Sequence, residues 1–226
     1  MHNALESGNT ALDSMPDASS TNVVQLYERH AAEWEADRRL TGFAERAWLD
    51  RWIDLIPAGG RVLDIGCGFG WPIADYLISR ELQVTGIDGS LAMISRCREH
   101  YPDQQWQVAD MRQLSLDDTF DGILAWDSFF HLTGTDQQSM FPIFRKHAHQ
   151  GCALMFTSGP AAGEAIGQLY GETLYHASLS PDRYRTLLGA NGFCVRAHQA
   201  EDVSCGGRTV WLAQVGAGRE VCPLLP

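Results

Sequence analysis

Val62-Leu63-Asp64-Ile65-Gly66-Cys67-Gly68-Phe69-Gly70 is an apolar run interrupted by one acid and ended by three alternating glycines. Val62, Leu63 and Ile65 predict a central parallel strand covered on both faces, entered through the Ala58-Gly59-Gly60 turn and Arg61. Pro72 has no N–H to lose and a φ already suited to a first helical turn, so a helix is expected from Pro72 to about Arg80. A glycine loop feeding a helix N-terminus is expected to present unpaired backbone N–H groups and to let a ligand approach the main chain. Such a loop is a cradle for a nucleotide cofactor.

Spacing narrows the nucleotide. The dinucleotide fingerprint G-x-G-x-x-G needs its third glycine at position 71, which is Trp71. The glycines stand instead at 66, 68 and 70, and Asp64 lies inside the strand two residues before the first. A carboxylate there repels a pyrophosphate and suits an ammonium or sulfonium group. On these residues, Val62 to Gly70 resembles motif I of the class I S-adenosylmethionine-dependent methyltransferases. A tight strand-to-helix turn with no ligand would read the same way, so the decision falls to the residues downstream.

Leu82 to Asp88 predicts a second strand whose terminal acid lies 18 residues beyond Gly70. A carboxylate at that tip can accept from both hydroxyls of an adenosyl ribose, and it can also cap the helix expected over Ser90 to His100. A third strand, about Gln105 to Ala109, ends in Asp110-Met111, and a fourth, Phe120 to Trp126, runs into Asp127-Ser128-Phe129-Phe130-His131-Leu132. Strands alternating with helices mean a parallel sheet with right-handed crossovers, in which ligands sit beyond the carboxyl ends of the strands. Every acid named so far falls at such an end.

The resemblance implies more. The fold would be α/β, a Rossmann-like seven-stranded, mostly parallel sheet with helices on both faces, an antiparallel C-terminal strand and an N-terminal helical lid. The cofactor would be S-adenosylmethionine, with S-adenosylhomocysteine as product and no metal. Asp64, Gly66, Cys67, Gly68, Gly70, Asp88, Gly89, Asp110, Met111, Trp126 and Asp127 become cofactor-binding candidates, Asp110 accepting from the adenine amino group and Met111 packing on the ring. Read alone, Asp110 is a turn residue. Class I enzymes acting on DNA amino groups carry an Asn/Asp-Pro-Pro-aromatic motif after the fourth strand, and neither proline is present here. The stretch is more similar to the Ser-x-x-His-type segment of small-molecule enzymes, which faces the substrate. Read alone, His131 is a buried, satisfied histidine.

The flanks are less regular. Residues 1–21, rich in Ser, Asn, Asp and Ala, are expected to be a disordered tail. Residues 22–56 should form two helices, about Asn22 to Arg38, with an Asn22–Gln25 cap, and about Phe43 to Ile56. By resemblance they form the lid, with Tyr27, Trp34 and Arg38 over the cofactor. Residues 57–215 would be the cofactor-binding domain and residues 216–226 a loose tail. Within the domain, a capping box of Thr135 with Gln138 starts a helix toward His149, kinked or delayed by Pro142, and Cys152 to Thr157 makes the fifth strand. Ser158 to Leu179 reads as a long irregular loop, of the kind that carries function, with Glu164, Tyr170 and Tyr175 as substrate candidates. A helix from Ser180-Pro181 to about Ala190 and a terminal pair of strands, Phe193 to Gln199 and Arg208 to Val215, complete the domain.

Methyl transfer from a sulfonium is an in-line displacement, so the protein mainly aligns, desolvates and, for a hydroxyl or ammonium, deprotonates the acceptor. His176 and His131 are the candidate bases, with Asp127 and Glu164 behind them. The net charge of -11 argues against a grip on nucleic acid and favours a small-molecule substrate. Six cysteines without C-x-x-C are expected to be reduced, and no apolar run of membrane-spanning length occurs, so a cytoplasmic monomer or homodimer is expected. Two rivals are a non-catalytic S-adenosylmethionine-binding module and a dinucleotide-dependent oxidoreductase, the latter disfavoured by Trp71.

Overall fold

The computed structural model describes residues 18–216. The expected tails lie outside them, except that Gly216 N–H donates to Gly192 O (3.1 Å) and that residues 18–21 belong to the first helix, which puts Asn22 inside that helix rather than at its cap. α1 (Ala18–Arg29), α2 (Ala31–Leu40) and α3 (Arg46–Ile53) precede β1 (Arg61–Ile65). There follow α4 (Ile73–Ser79), β2 (Gln83–Asp88), α5 (Leu91–His100), β3 (Gln105–Val108), β4 (Phe120–Ala125), α6 (Gly134–His147) and β5 (Ala148–Ser158). The chain ends in a hairpin of β6 (Gly163–Leu169) and β7 (Glu172–Ser178), then α7 (Pro181–Ala190), β8 (Phe193–Asp202) and β9 (Arg208–Val215).

The main sheet has seven strands in the order β3-β2-β1-β4-β5-β9-β8. β1 pairs in parallel with β2 on one side and β4 on the other, and β9 runs antiparallel to both β5 and β8. Strand order reverses at β1, the topological switch point where such sheets bind ligands. Alternation along the strands builds a core on each face. Val62, Val84 and Leu124 pack with Trp48, Leu49 and Trp52 of α3 and with α4 and α5. Leu63, Ile65 and Ile123 pack on the other face with Phe141 and Phe144 of α6 and Tyr184 and Leu188 of α7.

Four expectations need correction. The N-terminal helix is broken at His30 (φ -108°, ψ 23°), where its imidazole Nε2 meets Glu172 of the hairpin at 2.8 Å, so docking overrides a continuous helical pattern. α6 is capped by Thr133, whose hydroxyl accepts from the Asp136 N–H, rather than by Thr135, and it runs through Pro142. The stretch 158–179 is largely a paired hairpin. Its two-residue turn is Tyr170-Gly171, both at positive φ (51° and 79°), the backbone that matches the twist of paired strands. β6 is exposed along most of its length and carries no apolar alternation, which is why the pattern hid it. Finally, Cys194 is in a disulfide, while Cys67, Cys97, Cys152 and Cys205 are free thiols. Among the described residues no helix is long and apolar enough to cross a membrane.

α1 joins the body through the hairpin and through α5. Val23 and Leu26 pack with Leu174, Tyr175 and Ala177 of β7. One carboxylate oxygen of Glu28 accepts from the Ser90 hydroxyl at 2.6 Å and from the Ala92 N–H at 2.9 Å, capping α5. Glu35 of α2 reaches Arg96 at 2.8 Å.

Candidate active site

Two cavities adjoin beyond the carboxyl ends of the strands. The first, of about 520 Å³, is lined by all thirteen residues expected to bind the cofactor: Asp64, Gly66, Cys67, Gly68, Gly70, Asp88, Gly89, Asp110, Met111, Trp126 and Asp127 from the sheet side, and Tyr27 and Trp34 from α1 and α2. The second, of about 650 Å³, lies between the hairpin and the β8–β9 turn and includes Phe130, Glu164, His176, Glu201 and Arg208. Tyr27, Trp34, Asp127 and His131 line both, forming a neck between them. Tyr170 and Tyr175, expected at the substrate, line neither. The Tyr170 hydroxyl donates to Asp37 of α2 at 2.8 Å, and that of Tyr175 donates to Glu164 at 2.7 Å.

The glycine loop departs from expectation in one respect. Its amides are spent inside the protein: the Gly66 and Cys67 N–H groups donate to Ile87 O (2.8 and 3.0 Å), Gly68 N–H to Asp88 Oδ2 (2.9 Å) and Gly70 N–H to Cys67 O (3.1 Å). The loop is therefore pinned to β2. Its glycines are needed for two different reasons. A Cβ on Gly66 (φ 75°) would stand 2.3 Å from Ser128 Cβ, whereas one on Gly68 (φ 55°) would meet nothing within 4 Å. Gly66 allows close packing, and Gly68 leaves the cavity wall bare.

Five carboxylates line this cavity, Glu45 and four aspartates, and the aspartates differ among themselves. Asp64 is 2% exposed, its Oδ2 has no hydrogen-bond partner, and burial with help from Asp88 pushes its pKa up to about 7. Asp88 accepts from Gly68 N–H and from Ser90 N–H (2.9 Å each), yet burial still lifts it above the ordinary carboxylate range. Asp110 and Asp127 are instead paired. Burial pushes Asp110 up, but the Arg112 guanidinium and N–H outweigh it and hold the carboxyl below its usual range. Arg112 thus takes up the carboxylate expected to meet an adenine amino group, and Asp110 also opens the 3-10 turn at 111–113, as a turn residue would. Asp127, in the left-handed region at φ 48°, is gripped by Arg208 at 2.6–2.9 Å. The Trp126 Nε1 is a second buried polar atom without a partner on this cavity.

The two histidines are separated by environment. His131 Nδ1 lies 2.8 Å from Tyr175 O. A carbonyl only accepts, so Nδ1 carries the proton and Nε2 the lone pair. Burial and the neighbouring His176 hold the His131 pKa down to about 4, as expected of a buried, satisfied histidine. His176, on β7, is half-buried on the second cavity, and burial lowers it as well. Two arginines complete the lining, one expected over the cofactor and one that escaped the sequence reading. Arg38, expected in the lid over the cofactor, lines the first cavity beside the buried Glu45, to which it is bonded. Arg208 meets Asp127 across 81 positions, a pairing that no local pattern announces. Among the described residues no group of three His, Cys, Asp or Glu converges as metal ligands.

The family model of the methyltransferase domain matches residues 62–151, from the first strand of the sheet into the fifth. The 27-O-demethylrifamycin SV methyltransferase of Amycolatopsis mediterranei is 30% identical over 198 residues, covering 80% of this chain and 71% of that protein. The chain belongs to the class I S-adenosylmethionine-dependent methyltransferases. Phosphoethanolamine N-methyltransferase 3 of Arabidopsis thaliana is 34% identical over 112 residues, 46% of this methyltransferase, which spans only 22% of that longer protein. Among solved structures, the magnesium protoporphyrin IX methyltransferase of Synechocystis with bound S-adenosylmethionine superposes with a TM-score of 0.67 at 18% identity, covering 92% of this chain and all of that one. The family places the methyltransferase away from the dinucleotide oxidoreductases, as Trp71 had suggested. A cationic nucleoside fits the residues present: an orphaned carboxylate oxygen on Asp64 lacks a positive partner, and Gly68 leaves space beside it.

Proposed function

We propose that this methyltransferase moves a methyl group from S-adenosylmethionine, held in the first cavity, to a small-molecule acceptor held in the second. The carrying observation is the neck: two cavities of ligand size share Tyr27, Trp34, Asp127 and His131. When bound, the cofactor supplies an electrophilic methyl group on a sulfonium. Asp64 would take the ammonium of its methionine end and Arg38 the carboxylate, each matched by charge. Asp88 would accept from the ribose hydroxyls with the lone pairs left over from Gly68 and Ser90, while Met111 would pack on the adenine and Asp110, bound to Arg112, would border it. Residues 22–56 would serve as a lid, tied down by Glu28, Glu35 and the hairpin.

Toward the acceptor, the chain's own work is alignment, exclusion of water and removal of a proton. His176 is the candidate proton acceptor, since it faces the second cavity. His131, held neutral by its environment, orients groups at the neck and is too weakly basic to compete for that role. Glu164 would meet a polar group of the acceptor. The names of the relatives, the 27-O-demethylrifamycin SV methyltransferase among them, and the net charge of -11 both support a small acceptor over nucleic acid. Titration calorimetry with S-adenosylhomocysteine tests the donor half. Asp88→Ala is expected to weaken binding at least tenfold, about the loss of one charge-assisted hydrogen bond, and unaltered affinity would overturn the assignment.

A further inference from the structure

We propose that the acceptor of the second cavity is an amine, admitted as its cation along an aromatic and anionic wall; this rests on reading that cavity as the acceptor's place. Rings follow one another through the neck. Trp34 lies edge-on to Tyr27 at 5.5 Å, Tyr27 lies 5.9 Å from His131, and His131 lies 4.8 Å from His176. Phe130 closes the group, 4.8 Å from His131 and 5.3 Å from His176. Aromatic faces attract a cation through their quadrupole.

The charges on the wall point the same way. Asp127, Glu164 and Glu201 are on the lining, against Arg208 as the one Lys or Arg among the described lining residues. Arg208 is committed to Asp127 by three hydrogen bonds of 2.6–2.9 Å. Glu164 is steadied by the Tyr175 hydroxyl on Oε1, which leaves Oε2 for a ligand. Both histidines are lowered by burial and stay neutral near pH 7, so they add no opposing charge. An acceptor carrying a carboxylate or phosphate would meet like charge here, whereas an ammonium meets complementary charge.

The fate of charge during transfer favours the same class. For an amine, the nitrogen lone pair forms the new N–C bond while the methyl–sulfur bond breaks with its electron pair going to sulfur. The positive charge therefore passes from the first cavity to the acceptor nitrogen. The proton of the starting ammonium leaves beforehand, by way of His176 to bulk water. A deprotonated hydroxyl would end neutral and gain nothing from the carboxylates. An anionic, aromatic wall on the acceptor side is an arrangement that stabilises charge arriving there.

The test uses the full chain saturated with S-adenosylhomocysteine, titrated calorimetrically with benzyltrimethylammonium and, separately, with benzenesulfonate. The cation is expected to bind at least tenfold more tightly than the anion. Glu164→Gln and Phe130→Leu should each weaken it by about threefold to fivefold, in the range of an exposed ion pair or a single cation–π contact, with S-adenosylhomocysteine affinity unchanged. Equal or tighter binding of the sulfonate, or a cation affinity indifferent to Glu164→Gln, would overturn the amine assignment alone. Failure of S-adenosylhomocysteine to bind the unaltered chain would instead overturn the donor reading, and this inference with it.

Discussion

Replacing Asp64 by Asn separates what the buried carboxylate costs the protein from what it does for a ligand. The side chain is 2% exposed, one oxygen is unpartnered, and burial beside Asp88 raises the pKa from 3.8 to about 7. The sign follows from linkage. The folded chain holds this proton more tightly than the unfolded chain, so the associated stability is fully present below pH 3.8 and is lost as pH rises to about 7. At about 1.4 kcal/mol per unit, a rise of about three units puts the cost of the ionised form on the order of 4 kcal/mol at pH 8. Asn removes that cost but leaves a buried amide to be satisfied, at roughly 1–3 kcal/mol. The ligand-free variant is therefore expected to be more stable at pH 8 by about 1–3 kcal/mol, a rise in Tm of roughly 2–10 °C for a chain of this size. At pH 5 the advantage should vanish. Thermal melts at the two pH values measure this directly, and repeating them with S-adenosylhomocysteine gives the other half: the ligand should raise the Tm of the unaltered chain well above its effect on Asp64→Asn. A difference between the two proteins that is the same at pH 5 and pH 8 would mean that Asp64 does not titrate in this window, and would refute the assignment.

Other changes probe separate parts of the site. Gly66→Ala would drive a methyl group to within 2.3 Å of Ser128 Cβ, so a loss of roughly 2–4 kcal/mol is expected in denaturant unfolding. Gly68→Val meets open space, so the fold should survive with a strain of about 1–2 kcal/mol, while S-adenosylhomocysteine binding falls at least tenfold; the reverse ordering would exchange the two roles. His176→Ala should slow turnover about a hundredfold with cofactor affinity intact, and an unchanged rate would acquit it as the proton acceptor. Tyr170→Phe combined with Glu172→Gln removes hydrogen bonds that tie the hairpin to Asp37, Arg29 and His30. Stopped-flow release of S-adenosylhomocysteine should then quicken by about threefold to tenfold, and an unaltered off-rate would detach the clasp from lid closure.

The first cavity was legible because its chemistry is local to strand ends. Asp64, Gly66, Asp88 and Asp110 each follow a short apolar run, and the alternation of strands and helices brings those ends together whatever the loops do. The second cavity was legible only in part, through Glu164 and His176, for the converse reason. Its walls come from the hairpin and the β8–β9 turn, whose residues meet the neck across long separations, as Arg208 meets Asp127. The turn at Tyr170-Gly171 also carries tyrosine where asparagine or aspartate would have announced a hairpin. Tyr170 was consequently placed at the substrate, although its hydroxyl joins the hairpin to α2. The expectation of free amides in the glycine loop failed because sequence shows that a loop can present N–H groups but not which neighbouring strand consumes them.

That consumption changes what the cavity recognises. With the amides of Gly66, Cys67, Gly68 and Gly70 turned inward, the loop offers little to an anion, and recognition passes to the carboxylates. These divide in a way that gives the ligand a direction. Asp110 and Asp127 are neutralised by Arg112 and Arg208, whereas Asp64 is matched by no cation and keeps a bare oxygen. In a low-dielectric pocket an uncompensated carboxylate is costly until a positive group arrives, so the ammonium end of a ligand belongs at Asp64. Arg38, on the same cavity, then stands for the opposite charge of that end. A ligand anchored there and at Asp88 reaches the neck with its middle rather than with either end. A sulfonium sits in the middle of S-adenosylmethionine, between the amino acid and the nucleoside, and a pyrophosphate would bring negative charge to the same acidic wall.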